Sequence, residues 1–434
     1  NNSISQNGAI TLAANTTADS RIFYDNTTGT KASSVYGVGV TLTSGSNKDV
    51  NYTMLSAGGN LQIGGAVAVN GIVNLDNTYG CTGTSCTPAT GYITTANYST
   101  LATTTHAVQT TSGALSAVKG ITINAISYGS YGLYSNQAIS STTGNIVVTG
   151  ITSSSRGISQ DGTTTASAGN ITFNGTTTNN YGVYTSALIT ANNITVTGTA
   201  SATVGGWVVQ VNALTINSGS TGGDITITAT GSAPGGGNGL YQSGAITGAN
   251  GSDISFTSNN VISQNGAITL AANTSGSTAT LLYDTTSGNK SSTILSGTLT
   301  LTAGSSNDIN FVMKSAGSAI NPGAIGTSSV RLPGTVTLDN TYGGSSPASG
   351  YITTSNIATY ATTSVGVTIN NAIYSTKLIS VKGIAYTSQG ISYSAVINSS
   401  TSGVELTGTT SNNYGVYTSN ASLITGNYIT IAGY

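Results

Sequence analysis

The stretch NITVTG at residues 193–198 decides the fold, because apolar and polar side chains alternate along it and a glycine ends it. An alternation of period two is typical of a half-buried β-strand. In several units a long stretch of this kind is followed by shorter apolar pieces. In the preceding unit these pieces are YGVY at 181–184 and ALIT at 187–190. Similar long stretches begin at isoleucines spaced by 25, 25, 23, 31 and 29 residues: Ile121, Ile146, Ile171, Ile194, Ile225 and Ile254.

Repeated units of this length favour one fold class, an all-β right-handed parallel β-helix (β-solenoid) with about 25–30 residues per coil. Sandwich strands recur about every 8 to 12 residues, and a propeller blade needs roughly 40 to 50. In a solenoid each coil stacks on the one before it, so we expect Ile194 to lie above Ile171 and Ile146. The right-handed crossover is the strong default for parallel strands.

A second and much longer period also runs through the chain. We predict one continuous β-solenoid over 1–434, with a first long repeat at 1–258 and a second, partial one at 259–434 that lacks about one coil. A solenoid tolerates such a loss, because each coil contacts only its neighbours. The matched stretches are 1–12 with 259–270, 75–80 with 338–343, 118–121 with 381–384, and 179–186 with 412–419.

Charge is scarce in this chain of 434 residues, of which 5% are Asp, Glu, Lys or Arg, with a net charge of -1. A surface without excess positive charge cannot neutralise phosphates, so we expect no nucleic-acid partner. No run reaches the roughly 18 apolar residues of a membrane span, and we expect no membrane insertion in this segment. No motif indicates a cofactor.

The acidic residues are spread thinly and suggest structural roles. Asp224 and Asp253 precede their strands at the position that Asn145, Asn170 and Asn193 occupy in other units. We expect all five to cap turns, with the asparagines forming an amide ladder along the axis. A polysaccharide-processing enzyme, the alternative function, would instead need carboxylates that meet on neighbouring coils.

Structural roles are also predicted for four further acidic residues and for the single histidine. Asp76 and Asp339 lie in the duplicated motif LDNTYG, which indicates a turn or a weak cation site. Asp25 and Asp284 follow tyrosines at matched positions of the long repeat, and we expect turns there too. His106 has no nearby His or Cys and is predicted to be a surface residue, so we expect no metal site.

Cys81 and Cys86 lie at the two ends of a loop that is four residues longer than its counterpart in the second long repeat. If the chain is exported, a disulfide that closes this loop is expected.

Tyrosine is the dominant aromatic residue, with 23 against four Phe and one Trp. Pieces of the form Tyr-Gly-x-Tyr place two rings on one face of a strand. Such rings either pack at corners with their hydroxyls in water or form a contact surface for glycans or neighbouring rods. The threonine-rich strands could instead form an ice-binding face, which is a further alternative function. The candidate contact tyrosines are Tyr131, Tyr134, Tyr181, Tyr184, Tyr414 and Tyr417.

The motifs GNIxxxG, YGVY and AITL resemble the β-strand repeats of very large bacterial surface exoproteins, namely filamentous-haemagglutinin-like adhesins and autotransporter passengers. This resemblance implies a right-handed parallel β-helix and export from a Gram-negative bacterium to the cell surface. It also implies a non-enzymatic role as a stalk, adhesive fibre or matrix filament. The expected partners are other copies or further repeats of the chain, and cell-surface glycans or matrix polysaccharide.

Overall fold

A computed structural model describes residues 3–13, 15–42, 47–80, 91–202, 206–217, 222–232, 238–302, 304–344, 348, 350–419 and 422–434. The chain divides into two compact units. Unit 1 comprises Asn1–Val204 and Val208–Asn212, and unit 2 comprises Gly205–Trp207 and Ala213–Tyr434.

Unit 1 consists of short strands joined by turns. In chain order its elements are β1 (Ile4–Ser5), β2 (Ile10–Leu12), β3 (Ser20–Asn26), β4 (Val35–Gly37), β5 (Val40–Leu42), β6 (Val50–Ser56), β7 (Leu61–Ile63), β8 (Val67–Val69), β9 (Ile72–Asp76), α1 (Tyr98–Leu101), β10 (Val108–Thr110), β11 (Leu115–Ala117), β12 (Gly120–Ser127), β13 (Leu133–Ser135), β14 (Ile139–Ser141), β15 (Ile146–Thr152), β16 (Ile158–Gln160), β17 (Thr164–Ala166), β18 (Ile171–Thr177), β19 (Val183–Thr185), β20 (Ile189–Ala191), β21 (Ile194–Ala200) and β22 (Val209–Val211).

Within unit 1, strands pair with the strands three places further along the chain, and this pairing builds three parallel sheets. Sheet A follows the order β1-β4-β7-β10-β13-β16-β19-β22, sheet B the order β2-β5-β8-β11-β14-β17-β20, and sheet C the order β3-β6-β9-β12-β15-β18-β21. The pairings between neighbours are parallel in all three sheets. One strand of each sheet therefore makes one coil.

Unit 2 continues the numbering with the same kinds of element. They are β23 (Leu214–Ile216), β24 (Ile225–Thr230), β25 (Asn238–Gln242), β26 (Ile246–Gly248), β27 (Ile254–Ser258), β28 (Val261–Gln264), β29 (Ile268–Leu270), β30 (Ala279–Thr285), β31 (Ile294–Leu295), β32 (Leu299–Leu301), β33 (Ile309–Ser315), β34 (Ile320–Asn321), β35 (Val336–Asp339), α2 (Ile357–Tyr360), β36 (Val367–Ile369), β37 (Ile373–Ser375), β38 (Ile379–Ala385), β39 (Ile391–Tyr393), β40 (Ile397–Ser399), β41 (Val404–Thr410), β42 (Val416–Thr418), β43 (Ile424–Thr425) and β44 (Ile429–Gly433).

The sheets of unit 2 follow the same scheme with one interruption. Its sheet A is β25-β28-β31-β34-β36-β39-β42 and its sheet C is β24-β27-β30-β33-β35-β38-β41-β44, whereas sheet B is divided into β23-β26-β29-β32 and β37-β40-β43. Between β32 and β37 the buried residue Ile325 makes single bridges to Leu299 and Ile373. Leu332 makes a further single bridge to Ser375 of β37, so two separate bridging residues replace a strand at this level.

The strand register confirms the predicted parallel β-solenoid within each unit. Ile121 pairs with Ile146, Ile146 with Ile171, and Ile171 with Ile194, as the spacing of 25, 25 and 23 residues requires. In unit 2 Val404 stacks on Ile429 at a spacing of 25. Handedness, continuity over 1–434 and the division at residue 258 stay predictions.

The core of each unit is a narrow column of apolar side chains. Along β18 burial alternates residue by residue, and Phe173 is fully buried between its register partners Val148 and Val196. Sheet A contributes fully buried residues such as Leu133 and Val183 to the same interior. The period-two pattern therefore holds because one strand face is removed from water.

The glycines of the two sequence motifs approach each other at one corner of the coil. A Cβ atom on Gly175, the last residue of GNITFNG, would lie 1.9 Å from the carbonyl oxygen of Gly182 in YGVY. A Cβ on Gly182 would in turn lie 2.7 Å from the carbonyl of Gly175. Only glycine permits this close backbone approach, so both motifs serve the same corner.

A short helix that sequence reasoning did not predict lies outside the coils in each unit. In unit 1, the α1 region packs Ile93 and Ala102 against Ile126 of β12. In unit 2, Ile357 of α2 packs with Ile352 and with Ile384 of β38. Neither α1 nor α2, the helices of the described residues, has the length or apolar character to cross a membrane.

Candidate functional site

The outer face of sheet A in unit 1 presents one side chain from each coil in a regular column. The register places Tyr134 beside Gln109 and Ser159, and it places Tyr184 beside Ser159 and Gln210. Strands lie about 4.8 Å apart, so the two tyrosines are separated by two strand spacings. We call the following half-buried residues the aromatic strip: His106, Tyr131, Tyr134, Arg156, Tyr181 and Tyr184.

One end of the aromatic strip is a three-ring cluster. The ring centroid of His106 lies 4.9 Å from that of Tyr131 and 5.1 Å from that of Tyr134, and the two tyrosine rings are 5.2 Å apart. The His106 Nδ1 atom and the Ser130 hydroxyl are hydrogen-bonded at 2.8 Å. Burial lowers the pKa of His106 below its usual 6.5, so the ring favours the neutral form.

The predicted surface histidine, His106, is half-buried, because the coil that follows places Tyr131 and Tyr134 against its ring.

The other end of the strip combines two rings with a cation. The Arg156 guanidinium carbon lies 3.7 Å from the ring centroid of Tyr184 and 5.2 Å from that of Tyr181. Arg156 Nη1 also donates a hydrogen bond of 3.1 Å to the hydroxyl of the buried Ser159. A guanidinium held over a tyrosine face is a cation–π contact, which fixes both groups in place.

Tyrosine does not recur in every coil of the aromatic strip, since Ser159 lies between Tyr134 and Tyr184. Arg156 takes the place of a tyrosine between Tyr131 and Tyr181, as the backbone bonds from Gly132 N–H to Arg156 and from Gly157 N–H to Tyr181 show. Sequence reasoning missed both Arg156 and the part played by His106. The signal was present, because RGIS at 156–159 repeats the frame of YGLY at 131–134 after 25 residues.

The remaining candidate tyrosines, Tyr414 and Tyr417, lie at β42 in unit 2. Their rings are stacked, with centroids 5.5 Å apart and an interplanar angle of 26°. They are the more exposed pair, at 63% and 36%. Cys81 and Cys86 lie outside the described residues, and their disulfide stays a prediction.

The residues before the sheet C strands form the predicted caps. Asn145 Oδ1 accepts the Asn170 N–H at 2.9 Å, and Asn170 Oδ1 accepts the Asn193 side-chain amide at 2.8 Å. In unit 2 Asp224 Oδ1 accepts the Asp253 N–H at 3.0 Å. Asn145 and Asp224 thus occupy equivalent positions and satisfy a backbone N–H of the next coil, as predicted, while Asn170 and Asn193 form one rung of the predicted amide ladder.

The carboxyl of Asp253 also caps the coil that follows it. Its Oδ1 accepts the Thr280 N–H at 2.6 Å. Burial raises the pKa of Asp253, and the charge of Asp224 raises it further, while the bond from Thr280 opposes both effects.

The duplicated LDNTYG motif forms an Asx turn in both units. Asp76 Oδ1 accepts the N–H of Thr78 at 2.8 Å and its hydroxyl at 2.6 Å, and Asp339 binds Thr341 in the same way at 2.9 and 2.6 Å. The same bonds join Asp25 to Thr27 and Asp284 to Thr286. The predicted turns are confirmed.

The structure corrects one pairing of the long repeat. Lys119 Nζ binds Asp49 Oδ2 at 2.7 Å in unit 1, and Lys377 Nζ binds Asp308 Oδ2 at 2.5 Å in unit 2. Lys119 therefore corresponds to Lys377 and not to Lys382, the lysine that the matching VKGI strings indicated. Lys382 lies within β38 beside Asp339, because identity of four letters does not determine strand register.

Metal-ligating residues do not gather in the described part of the chain, where no group of three or more His, Cys, Asp or Glu could hold an ion. What the aromatic strip offers is a surface of ring faces, phenolic hydroxyls and one guanidinium. Such a surface can stack on a ring-shaped partner and donate hydrogen bonds to it.

The fold and this surface define the protein as a parallel β-solenoid with an aromatic strip on one outer face of unit 1. Comparison with known proteins adds no family to this description: no family model, curated protein or solved structure matches the chain.

Proposed function

We propose that the chain is a structural and adhesive segment of a very large secreted bacterial surface protein of the kind that its motifs resemble, a filamentous-haemagglutinin-like or autotransporter-passenger-like adhesin. In this proposal the segment works at the cell surface of a Gram-negative bacterium, as part of a stalk, fibre or matrix filament. It touches glycans or other copies of the same chain and carries out no chemistry.

The observation that carries the proposal is the aromatic strip. Its rings lie on the outer face of sheet A, and the strand register repeats that face coil after coil. Tyrosine rings bury apolar area at low entropic cost and keep a polar edge, which suits contact with sugar rings. Arg156 holds Tyr184 in position, so the surface is preorganised for contact.

The alternative functions find less support. The acids Asp76, Asp224 and Asp339 use a carboxylate oxygen to hold a turn or cap a coil, which is a structural use. An ice-binding face would need an unbroken threonine array. On sheet C the column Thr122, Val147, Thr172 is interrupted by valine.

An attachment assay tests the proposal. Beads coated with the whole 434-residue chain are allowed to settle on bacterial cells and on immobilised polysaccharide, and the number retained under flow is counted. We expect the double variant Tyr181→Ser, Tyr184→Ser to lower retention at least about fivefold, because hot-spot aromatic side chains carry most of a contact. Serine is a suitable replacement, since Ser159 occupies the same column.

The matched control is Tyr128→Ser, which removes an exposed tyrosine outside the strip and should leave retention unchanged. Equal retention of the parent and the double variant on every surface would contradict the role of the strip. Failure of the parent chain to attach to any surface would contradict adhesion altogether.

A further inference from the structure

Unit 2 contains a cavity of about 440 Å³ beside α2. One wall is the turn after β30, which includes Asn289, Lys290 and Ser291. Tyr351 and Tyr360 also line the cavity. Its volume lies within the range of roughly 300 to 1,000 Å³ that is usual for small-molecule sites.

Glycines allow the close approach of the Tyr351 ring and of the Tyr360 backbone. A Cβ atom on Gly343 would lie 1.5 Å from the Tyr351 ring, and one on Gly317 would lie 2.1 Å from the backbone oxygen of Tyr360. The two rings meet edge to face, with centroids 5.8 Å apart at 70°. They are 41% and 39% exposed, so their free faces are open to a ligand.

The cation of this cavity has no acidic partner among the described residues of unit 2. Lys314, Lys377 and Lys382 each pair with an aspartate. The Nζ atom of Lys290, by contrast, reaches only the backbone oxygen of Ala358, at 3.5 Å. An exposed ammonium beside two ring faces favours a ligand that joins an anionic group to a ring with apolar C–H edges.

We propose that this cavity binds a saccharide unit that carries a carboxylate, with the sugar ring on Tyr360 and Tyr351 and the carboxylate on Lys290. The inference rests on the proposed function and deepens it, because it names a site and a class of glycan. A neutral sugar would use the rings and leave the ammonium without a counter-charge. A lipid would find too polar a lining, with Asn289 and Ser291 facing it.

Unit 1 provides a natural comparison. Lys31 and Tyr92 correspond to Lys290 and Tyr351, but Leu101 at the end of α1 stands where Tyr360 ends α2. The second aromatic wall is therefore a feature of unit 2, and the substitution Tyr360→Leu gives unit 2 the residue of unit 1.

The test measures binding of fluorescently labelled oligosaccharides to the whole chain. Trigalacturonate and sialyllactose are the carboxylated probes, and galactotriose and lactose are their neutral counterparts. We expect at least one carboxylated probe to bind about tenfold more tightly than its counterpart. Lys290→Gln should abolish this preference, Tyr360→Leu should weaken that probe at least fivefold, and Lys31→Gln should change neither.

Several results would overturn the inference. These are equal affinity for carboxylated and neutral probes, dissociation constants weaker than about 10 mM for both carboxylated probes, or binding that neither Lys290→Gln nor Tyr360→Leu alters. Circular dichroism of each variant shows whether it is folded. If beads still attach to polysaccharide while this site fails, only the site is refuted. If attachment fails as well, the proposed function is refuted with it.

Discussion

Replacing Phe173 by alanine tests which face of the strands forms the core. Phe173 is fully buried in β18. Its register partners on the two neighbouring coils are Val148 and Val196, which are fully buried as well. Truncation of the ring leaves a cavity between two coils that the backbone ladder holds at a fixed spacing.

The size of the effect follows from the buried area. An aromatic side chain buries about 150 to 250 Å², which at about 25 cal/mol per Å² corresponds to roughly 4 to 6 kcal/mol for the whole side chain. Alanine keeps the Cβ part of this area. We therefore expect Phe173→Ala to lower the free energy of unfolding by about 3 to 5 kcal/mol.

The assay is equilibrium urea unfolding followed by far-ultraviolet circular dichroism. The matched control is Thr172→Ala, one residue earlier on the outer face of the same strand, where we expect a loss below about 1 kcal/mol. A slip of one residue exchanges the two faces of a strand. Equal losses for the two variants, or a larger loss for Thr172→Ala, would refute the inward position of Phe173.

Three further predictions concern backbone approach, a buried hydroxyl and a perturbed acid. Gly175→Ala should lower the thermal midpoint strongly, since its Cβ would lie 1.9 Å from a carbonyl oxygen, whereas Gly8→Ala, with nothing within 4 Å, should leave it unchanged in a melting curve. Thr164→Val should raise the free energy of unfolding by about 1 kcal/mol or more, because the buried Thr164 hydroxyl has no partner in the described part of the chain; a loss of stability in urea would contradict this. The pKa of Asp253 is raised in the folded state, so the folded protein holds this proton to higher pH than the unfolded chain. Below the unfolded-state pKa of about 3.8 the carboxyl is protonated in both states and does not affect stability. As the pH rises through the higher pKa of the folded state, the carboxyl ionises and lowers the free energy of unfolding. Asp253→Asn keeps the oxygen that accepts the Thr280 N–H, and urea unfolding should find it at least as stable as the parent at pH 7, with the difference vanishing near pH 3. A variant that is less stable at pH 7 would contradict this sign.

The sequence was sufficient to predict the coil and its caps. The isoleucine spacing predicted the stacking of Ile146, Ile171 and Ile194, because alternation and turn residues together determine both where a strand starts and which face is buried. The capping roles of Asn145 and Asp253 were predictable for the same reason, since both precede the first buried residue of a strand.

The helices and the full aromatic strip could not be predicted in this way. A four-residue helix such as α2 is too short to show a helical period, and its position depends on Ile384 in a distant strand. The 25-residue frame that RGIS at 156–159 shares with YGLY at 131–134 indicates the position of Arg156 in the coil. It does not indicate that the guanidinium lies over the ring of Tyr184 in the next coil.

The most direct test of coil stacking is thiol crosslinking between neighbouring coils. In a background with Cys81→Ser and Cys86→Ser, cysteine replaces either the register partners Thr172 and Thr195 or the pair Thr122 and Thr195. Thr122 lies three coils from Thr195, which is about 14 Å at 4.8 Å per coil. With the short reagent dibromobimane, the stacked coils predict a high crosslinking yield for the first pair and almost none for the second. Equal yields, or a higher yield for the distant pair, would contradict a solenoid in this register.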